Sequence, residues 1–281
     1  MSKPITAALV NDLRKRTDLP MMECKAALQA TDGDIEAAID HLRKAGAKAS
    51  LKRAGNETAE GRIGVFIDNA AQVGAIVELR CESAPVAKGE HFIKLAAAIA
   101  KVVGTKNPAT VEALLTTDSG NGKTVTDLIH DVIAVLRENM KVQRFARLAG
   151  GLYGEYVHHD GTLGVLLQAS GSGANPALLR DVCMHIAAVQ PTPVAARRDE
   201  VPAAVVAKEK EIAKAKAEAT GKPAQIAEKI AEGQMKTWFA ENVLVEQPFV
   251  KDQARTVGQV LKEASLEVTK FVRYKVGEIP A

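Results

Sequence analysis

The feature that most constrains the fold of this chain is an internal repeat. The segments GRIGVFIDNAAQVGAIVEL (residues 61–79) and GLYGEYVHHDGTLGVLLQA (residues 151–169) align without a gap, at an offset of 154 − 64 = 90 residues. In each segment a turn-forming run separates two stretches of alternating apolar residues, which predicts a β-hairpin. An apolar-striped helix is predicted after each hairpin, at 91–103 and at 176–190. Because a lone hairpin cannot bury its apolar face, the repeat predicts two duplicated α+β subdomains.

The N-terminal residues 1–46 predict a small domain of three short helices. Apolar residues recur four residues apart at Ile5, Leu9 and Leu13, Pro20 marks the start of the second helix, and Asp34 is suited to cap the third. The following residues 47–60 are basic and lack an apolar period. We interpret them as a solvated linker, with a phosphate-contacting patch as the alternative.

A change of composition after Pro191 marks an inserted segment, residues 191–239, which is rich in Ala, Glu and Lys. Helix-start prolines at 202 and 223, with Gly221 between them, predict an antiparallel coiled-coil hairpin. Its narrow apolar stripe indicates that it projects from the body; the stripe comprises Val205, Ile212, Ile226 and Ile230. The remaining residues form the two core subdomains, 61–150 for the first, and 151–190 with 240–281 for the second.

Composition and charge argue against several classes of function. The net charge of +3 and the aromatic content of 4% are low for a nucleic-acid-binding protein. No run approaches the roughly 18 apolar residues that cross a bilayer, so we expect a cytoplasmic protein without a membrane contact. The scattered cysteines Cys24, Cys81 and Cys183 are expected to be buried, reduced thiols.

No motif in the chain predicts catalysis, and we expect no catalytic, cofactor-binding or metal-binding residues. The run GSGANP (171–176) lacks the Lys-Ser/Thr of a phosphate loop. His158 and His159 are adjacent and would point to opposite faces of a continuing strand, which does not suit shared metal ligation. We therefore expect a protein that is not an enzyme.

Several strings together resemble one family, bacterial translation elongation factor Ts, the guanine-nucleotide exchange factor of elongation factor Tu. They are ITAALVNDLRKRT, PMMECKAALQATDGDIEAAIDHLRKAGA, AEGRIGV, GEYVHHDGTLGVLL, MHIAA and GKPAQIAEKIAEGQMKTWFAENVLVEQPFVKD, and they run in the family's order from residue 5 to about residue 277. The resemblance implies an α+β fold with an N-terminal domain of ubiquitin-associated type, two related core subdomains and an inserted coiled coil. It also implies that the N-terminal domain docks on a helix of the partner, while the core reaches the partner's magnesium and phosphate loop.

The resemblance assigns roles to particular residues. The residues expected to contact the partner are Met21, Met22, Leu13, Glu138, Asn139 and His158. Methionine is suited to such a surface because its unbranched, polarisable side chain adapts to a partner helix. The chain also departs from the family, since Leu136-Arg137 replaces the usual Ile-Gly.

A second departure concerns the segment that helps dislodge magnesium from the partner. The family's Thr-Asp-Phe-Val falls here on Ser83, Ala84, Pro85 and Val86. A buried Phe would supply roughly 1.5 to 3 kcal/mol of apolar contact, and Pro85 offers less area on a stiffer backbone. We therefore expect the intrusion to be weaker or differently built.

The resemblance implies a guanine-nucleotide exchange factor that binds elongation factor Tu with GDP and promotes release of GDP and magnesium. No direct contact with nucleic acid is expected, and dimerisation through the helical hairpin is left open. Two alternatives remain at this point. One is an RNA- or ribosome-associated binding module that uses the basic linker, and the other is a coiled-coil assembly protein without exchange activity.

Overall fold

A computed structural model describes residues 4–120, 122–173, 175–219, 221 and 223–278. It begins with three helices, α1 (Ala7–Thr17), α2 (Met21–Ala30) and α3 (Ile35–Arg53), where the sequence predicted them. The Thr6 and Asp34 side chains cap α1 and α3 by accepting hydrogen bonds from Leu9 N and Ala37 N. The helices enclose a small core of Val10, Leu13, Leu19, Cys24, Ala27, Leu28, Ala38 and Leu42. The outer limits predicted for the domains, at residues 1 and 281, lie outside the described residues.

The first core subdomain consists of a three-stranded antiparallel sheet and four helices. Its elements are β1 (Glu60–Asp68), β2 (Val73–Cys81), α4 (Ala84–Ala87), α5 (Glu90–Lys106), α6 (Val111–Thr116), α7 (Val125–Leu136) and β3 (Met140–Ala149). The strand order is β1-β2-β3. Helix α5 crosses the sheet and buries Phe92, Leu95 and Ile99 against it. A reciprocal capping box between Thr124 and Asp127 begins α7.

The predicted linker at 47–60 is wrong for its first half, because α3 continues to Arg53. Alanine and lysine are good helix formers, so the segment needs no apolar period of its own to extend the helix. The helix also has a surface to lie on, since α3 contacts α7. Only the residues between Arg53 and Glu60 connect the N-terminal domain to β1 outside regular structure.

The second core subdomain repeats the sheet and helix of the first. Its elements are β4 (Leu152–Val157), β5 (Leu163–Gly171), α8 (Pro176–Ala188), α9 (Ala203–Glu218), α10 (Ala224–Asn242), β6 (Pro248–Phe249), β7 (Asp252–Thr256), α11 (Val257–Glu263) and β8 (Leu266–Lys275), with short 3-10 turns at Arg198–Glu200 and Leu244–Glu246. The strand order β4-β5-β8 matches that of the first sheet. The mixture of helices and sheets is consistent with the predicted α+β class.

The repeat extends to details of backbone geometry. Gly64 in β1 and Gly154 in β4 lie where a side chain would strike a helix: a Cβ atom would be 2.5 Å from Ala96 O or 2.7 Å from Leu179 Cβ. In each sheet the third strand also contains a β-bulge opposite the central strand. The bulge lies next to the partner of Glu78 in the first sheet and of Gln168 in the second, and these two residues are again 168 − 78 = 90 residues apart. Glycine allows the helix to approach the sheet, and the bulge bends the third strand.

The two sheets contact each other through two equivalent glycine contacts, in each of which a side chain of one copy packs on a glycine of the other. Gly74 of the first copy faces the Tyr153 ring, which a Cβ at this position would meet at 2.7 Å, and Gly164 of the second copy faces Ile63, which a Cβ would meet at 2.4 Å. Tyr153 and Ile63 are themselves 90 residues apart, as are Leu166 and Ile76, which are buried beside them. The two copies therefore pack by an approximate twofold relation, in which each inserts one side chain over the other's glycine.

The helical hairpin is built differently from the prediction. Its buried positions are Ala213, Ala217, Ala227 and Met235, whereas Val205, Ile212 and Ile226 of the predicted stripe are each more than a third exposed. Alanine lets α9 and α10 approach closely and leaves the larger side chains at the flanks of the contact. The most buried positions of the hairpin are therefore three alanines and Met235, and not the large residues of the apolar stripe.

A buried polar contact joins the base of the hairpin to α8. The backbone N–H of Val250 donates to His185 Nδ1 at 3.2 Å, so the ring proton is on Nε2, which lies 3.0 Å from Gln247 Oε1. The Gln247 amide in turn donates to the carbonyls of Pro191 and Glu241. Burial lowers the pKa of His185, and the ring is neutral in this setting.

The three cysteines are buried and free, as predicted. Burial raises the pKa of Cys183 far above its usual value, so that thiol stays protonated. No helix among the described residues is long and apolar enough to cross a membrane.

Candidate partner-binding site

The methionine pair lies at the start of α2 and is exposed. Pro20 precedes the helix in an extended conformation, and the inner face of α2 is occupied by Cys24, Ala27 and Leu28. Met21 is 48% exposed and Met22 is 71% exposed. Neither side chain is therefore needed to fill the core of the domain, and both present apolar, flexible surface to solvent.

Leu13 does not belong to this surface, and its predicted role as a contact residue is wrong. Its side chain is 0% exposed and packs in the core of the three-helix domain. The apolar stripe that Leu13 shares with Leu9 on α1 faces into this core, so the side chain is not available to a partner. Leu13 supports α2 from beneath.

Residues 83–86 form the entry to α4 and are held by a carboxylate. Ser83 is in an extended conformation, and its hydroxyl does not cap the helix. Instead the Ser83 N–H donates to Glu138 Oε2 at 3.0 Å and the Ser83 hydroxyl donates to Glu138 Oε1 at 2.5 Å. Pro85 is exposed, Ala84 is half-buried and Val86 packs against the core of the first subdomain. Pro85 is thus the outermost residue of a short segment whose base is fixed.

A second carboxylate ties the same region to the end of the N-terminal domain. Glu82 Oε1 accepts from the Asn139 N–H at 2.5 Å and from the Asn56 side-chain amide at 2.9 Å. These hydrogen bonds hold the pKa of Glu82 below its usual value. The Asn139 amide also donates to the Asn56 carbonyl at 2.9 Å.

This network gives Asn139 a supporting position. Its side chain is only 8% exposed, and its amide is already occupied by the backbone of the segment that follows α3. The expectation that Asn139 offers its side chain to a partner is therefore corrected, since the side chain holds the loop in place. Glu138 is half-buried and its two oxygens are both bonded to Ser83.

Cys81, just before this loop, is not a reactive thiol. Burial, reinforced by the nearby Glu138 carboxylate, raises its pKa to about 12. The Sγ atom donates to the Ser83 carbonyl at 3.3 Å. This hydrogen bond joins the end of β2 to the Ser83–Val86 segment.

His158 lies in the turn of the second hairpin, because β4 ends at Val157. Its Nδ1 is 2.9 Å from the Tyr156 hydroxyl, and its ring is 4.3 Å from that of His159 between centroids. The condition under which the two histidines would point to opposite faces is not met, because the strand does not continue through them. The turn itself is fixed by Asp160, whose carboxylate accepts from the Thr162 N–H. The described residues include no group of three or more His, Cys, Asp or Glu side chains placed to hold a metal ion.

The structure brings Ser83 and Glu138 into direct contact, and it joins the methionine helix to the same region. Glu23, next to Met22, forms an ion pair with Arg137, next to Glu138. Sequence reasoning did not identify Glu23, Arg53 or Arg137 as part of the site. The replacement of the usual glycine by Arg137 was the one available signal. The side-chain hydrogen bond of His158 stays within its own hairpin, and that residue belongs to the other subdomain.

Comparison with known proteins shows the family to which the chain is similar. Residues 83–278 match the family model described as elongation factor TS. The chain is 45% identical over 277 residues to elongation factor Ts of Thioalkalivibrio sulfidiphilus, and 44% identical over 277 residues to that of Methylococcus capsulatus. It is 43% identical over 276 residues to that of Bordetella petrii. Each alignment covers 98% of this chain and 92% of the relative. The chain therefore belongs to the elongation factor Ts family of translation elongation factors.

Proposed function

We propose that this chain is a guanine-nucleotide exchange factor for elongation factor Tu, which binds the GDP complex and promotes release of GDP and magnesium during protein biosynthesis. The observation that carries the proposal is the full-length family likeness together with two exposed contact elements, the methionine pair and the segment 83–86. The N-terminal domain supplies the anchor through Met21 and Met22. The Ser83–Val86 segment, fixed at its base by Glu138, supplies the part that disturbs the magnesium site.

The proposed activity involves no covalent step. An exchange factor binds the nucleotide-free partner more tightly than the nucleotide-bound one, and reciprocity then requires it to weaken nucleotide binding by the same factor. Moving a nucleotide from nanomolar to micromolar affinity takes about 4 kcal/mol of such coupling. Packed surfaces are sufficient for this, so the function needs no reactive group.

The test is release of fluorescent GDP from elongation factor Tu of the same organism. We expect this chain to accelerate release in a saturable manner and to form a stable complex with the partner when nucleotide is removed. Absence of acceleration at saturating concentration would defeat the proposal. An RNA-binding module would instead show RNA affinity that falls steeply with salt, and an assembly protein would leave GDP release unchanged.

Replacing both methionines with alanine tests the anchor. Loss of two apolar side chains from a buried contact is expected to weaken binding about 10- to 100-fold, measured by calorimetry with the nucleotide-free partner. Leu51→Ala is the matched control, because Leu51 is a large apolar side chain that is 78% exposed on the same domain. Equal binding by the double variant and the control would refute the anchor.

Restoring the family's aromatic residue tests the segment. Pro85 is exposed, so Pro85→Phe is expected to fold normally. Its larger apolar surface should leave binding intact and equal or raise the maximal rate of GDP release. A clear drop in that rate would show that Pro85 is itself the better fit to the partner.

A further inference from the structure

Arg137 occupies a backbone conformation in which a side chain is a disadvantage. It ends α7 with φ 60° and ψ 31°, and its N–H donates to the Ile133 carbonyl at 2.8 Å. Helices commonly end this way with glycine, which adopts a positive φ without steric cost. An arginine here therefore requires an explanation in terms of what its side chain contacts.

Two polar contacts connect Arg137 to the N-terminal domain. Its guanidinium forms an ion pair with Glu23 of α2. Its backbone carbonyl accepts a hydrogen bond of 2.6 Å from Arg53 Nε at the end of α3. One residue of the core thus holds two of the three helices of that domain.

Apolar residues of α3 and α7 form the contact between the two domains. Gly46 of α3 lies over Ala134 of α7, so closely that a Cβ on Gly46 would be 3.2 Å from the Ala134 Cβ. Beside this contact is a cleft of about 340 Å³ lined by residues of both domains, among them Leu19, Leu42 and Ile133, with Glu23 and Arg137 at its wall. The ion pair of Arg137 with Glu23 therefore lies at the wall of this cleft, beside the close contact of Gly46 with Ala134.

The same short segment of chain also holds the Ser83–Val86 segment. Glu138, which follows Arg137, binds Ser83 through both carboxylate oxygens. Asn139 comes next and binds Glu82. The connection from Met22 to Ser83 therefore runs through Glu23, Arg137 and Glu138, with one ion pair and one pair of hydrogen bonds.

We propose that Arg137 is a positioning residue that fixes the angle of the N-terminal domain, and hence sets the methionine pair at a defined distance from the Ser83–Val86 segment. The effect of this positioning on nucleotide exchange rests on the proposed function. The role of Arg137 in the docking of the two domains does not depend on it. When two contact elements are held at a fixed distance, binding of the first places the second close to its site on the partner. This preorganisation raises the rate of productive binding.

The docking is tested by spin labels on Asn11→Cys and Lys101→Cys, which are exposed positions of α1 and α5. The native cysteines are buried and do not compete for the label. The parent is expected to give one narrow distance distribution. Arg137→Gly keeps the favoured backbone and removes the guanidinium, so the distribution should broaden, as it should for Glu23→Arg. Combining Glu23→Arg with Arg137→Glu should narrow it again.

The matched control is Asn107→Gly, because Asn107 ends α5 in the same left-handed conformation with φ 52°. It is expected to leave the distribution unchanged. Because the ion pair is exposed, high salt should broaden the parent distribution towards that of Arg137→Gly. Identical distributions for the parent, Arg137→Gly and Glu23→Arg, or no recovery in the charge exchange, would overturn the positioning role.

The consequence for exchange is measured separately. At concentrations below saturation, Arg137→Gly is expected to accelerate GDP release about fivefold less than the parent, while Asn107→Gly matches the parent. If the parent itself fails to accelerate release, the proposed function falls, and the spin-label distances still decide the docking. If Arg137→Gly broadens the distances and leaves release unchanged, the coupling of the domain angle to exchange is refuted.

Discussion

The two core subdomains share their packing geometry but differ in their connections. Both have a hairpin, a glycine beneath a helix, and a third strand with a bulge at the equivalent position. In the first copy, β2 leads into α4 and the Glu138-bound loop. In the second copy, Gly173 is at the position equivalent to Ser83 and lies directly against backbone. A Cβ on Gly173 would be 1.9 Å from the Ala264 carbonyl oxygen.

The connection from the helix to the third strand differs as well. In the first copy it is made by α6 and α7, which receive the N-terminal domain, and in the second it carries the long helical hairpin. The copies thus preserve the positions that determine the sheet and vary the segments that reach outward. Among the described residues, the segment after the central strand presents the exposed Pro85 in the first copy, whereas Gly173 of the second copy lies against the backbone of Ala264.

The largest expected effect comes from removing the shared glycine beneath each helix. Gly64→Ala and Gly154→Ala force a Cβ against the backbone of α5 or α8, and each is expected to lower the free energy of unfolding by about 2 to 3 kcal/mol. Denaturant unfolding measures this. Gly233→Ala is the control, because Gly233 lies in α10 with open space around it and should be neutral or slightly stabilising. Tolerance at one glycine alone would show that the two copies are not equivalent in packing.

A smaller loss of stability is expected at the two equivalent glycine contacts between the sheets. Gly164→Ala places a Cβ 2.4 Å from Ile63 Cγ2 and should destabilise by about 1 to 2 kcal/mol. Ile63→Ala removes that methyl group, so the double variant should be more stable than the sum of the single effects by at least about 0.5 kcal/mol. Gly74→Ala with Ile63→Ala is the matched pair, which should be additive because Gly74 faces Tyr153 instead. Equal coupling in both pairs would contradict the reciprocal arrangement.

The smallest expected effect is a pH dependence confined to the second copy. Burial lowers the pKa of His185 in the folded protein, whereas the unfolded chain binds a proton near pH 6.5. The neutral ring therefore contributes stability above that pH, and the contribution is lost as the pH falls towards the folded pKa. His185→Gln should be less stable at pH 7.5 but should show a flatter decline in the free energy of unfolding between pH 7.5 and 5.5. An unchanged slope would indicate that His185 does not titrate on unfolding.

Much of this fold was predictable because its signals are local. The 90-residue repeat located both hairpins, and apolar spacing together with Pro20 and Asp34 located the N-terminal helices. The buried cysteines followed from their apolar surroundings. Resemblance to the family then identified the methionine pair and residues 83–86, which no periodicity would have selected.

The remaining features depend on contacts between distant residues. The exposure of both methionines is decided by Cys24 and Leu28, which fill the domain core. The extension of α3 to Arg53 depends on contact with α7. The ion pair between Glu23 and Arg137 joins residues that are far apart in the chain. None of these follows from local propensity. The contact role expected for Leu13 rested on the family resemblance, whereas its burial depends on the packing of the three helices.

The long chain segment between the central and third strands of the second sheet has a consequence for synthesis on the ribosome. Glu78 pairs with Arg144, only 144 − 78 = 66 residues later, whereas Gln168 pairs with Lys270, which is 270 − 168 = 102 residues later. The first sheet can therefore close while the hairpin is still being translated. Strand β5 keeps an unpaired edge until β8 has been synthesised, and an unpaired strand edge is a site of incorrect association of nascent chains. This edge therefore stays unpaired for longer during translation than the corresponding edge of the first sheet.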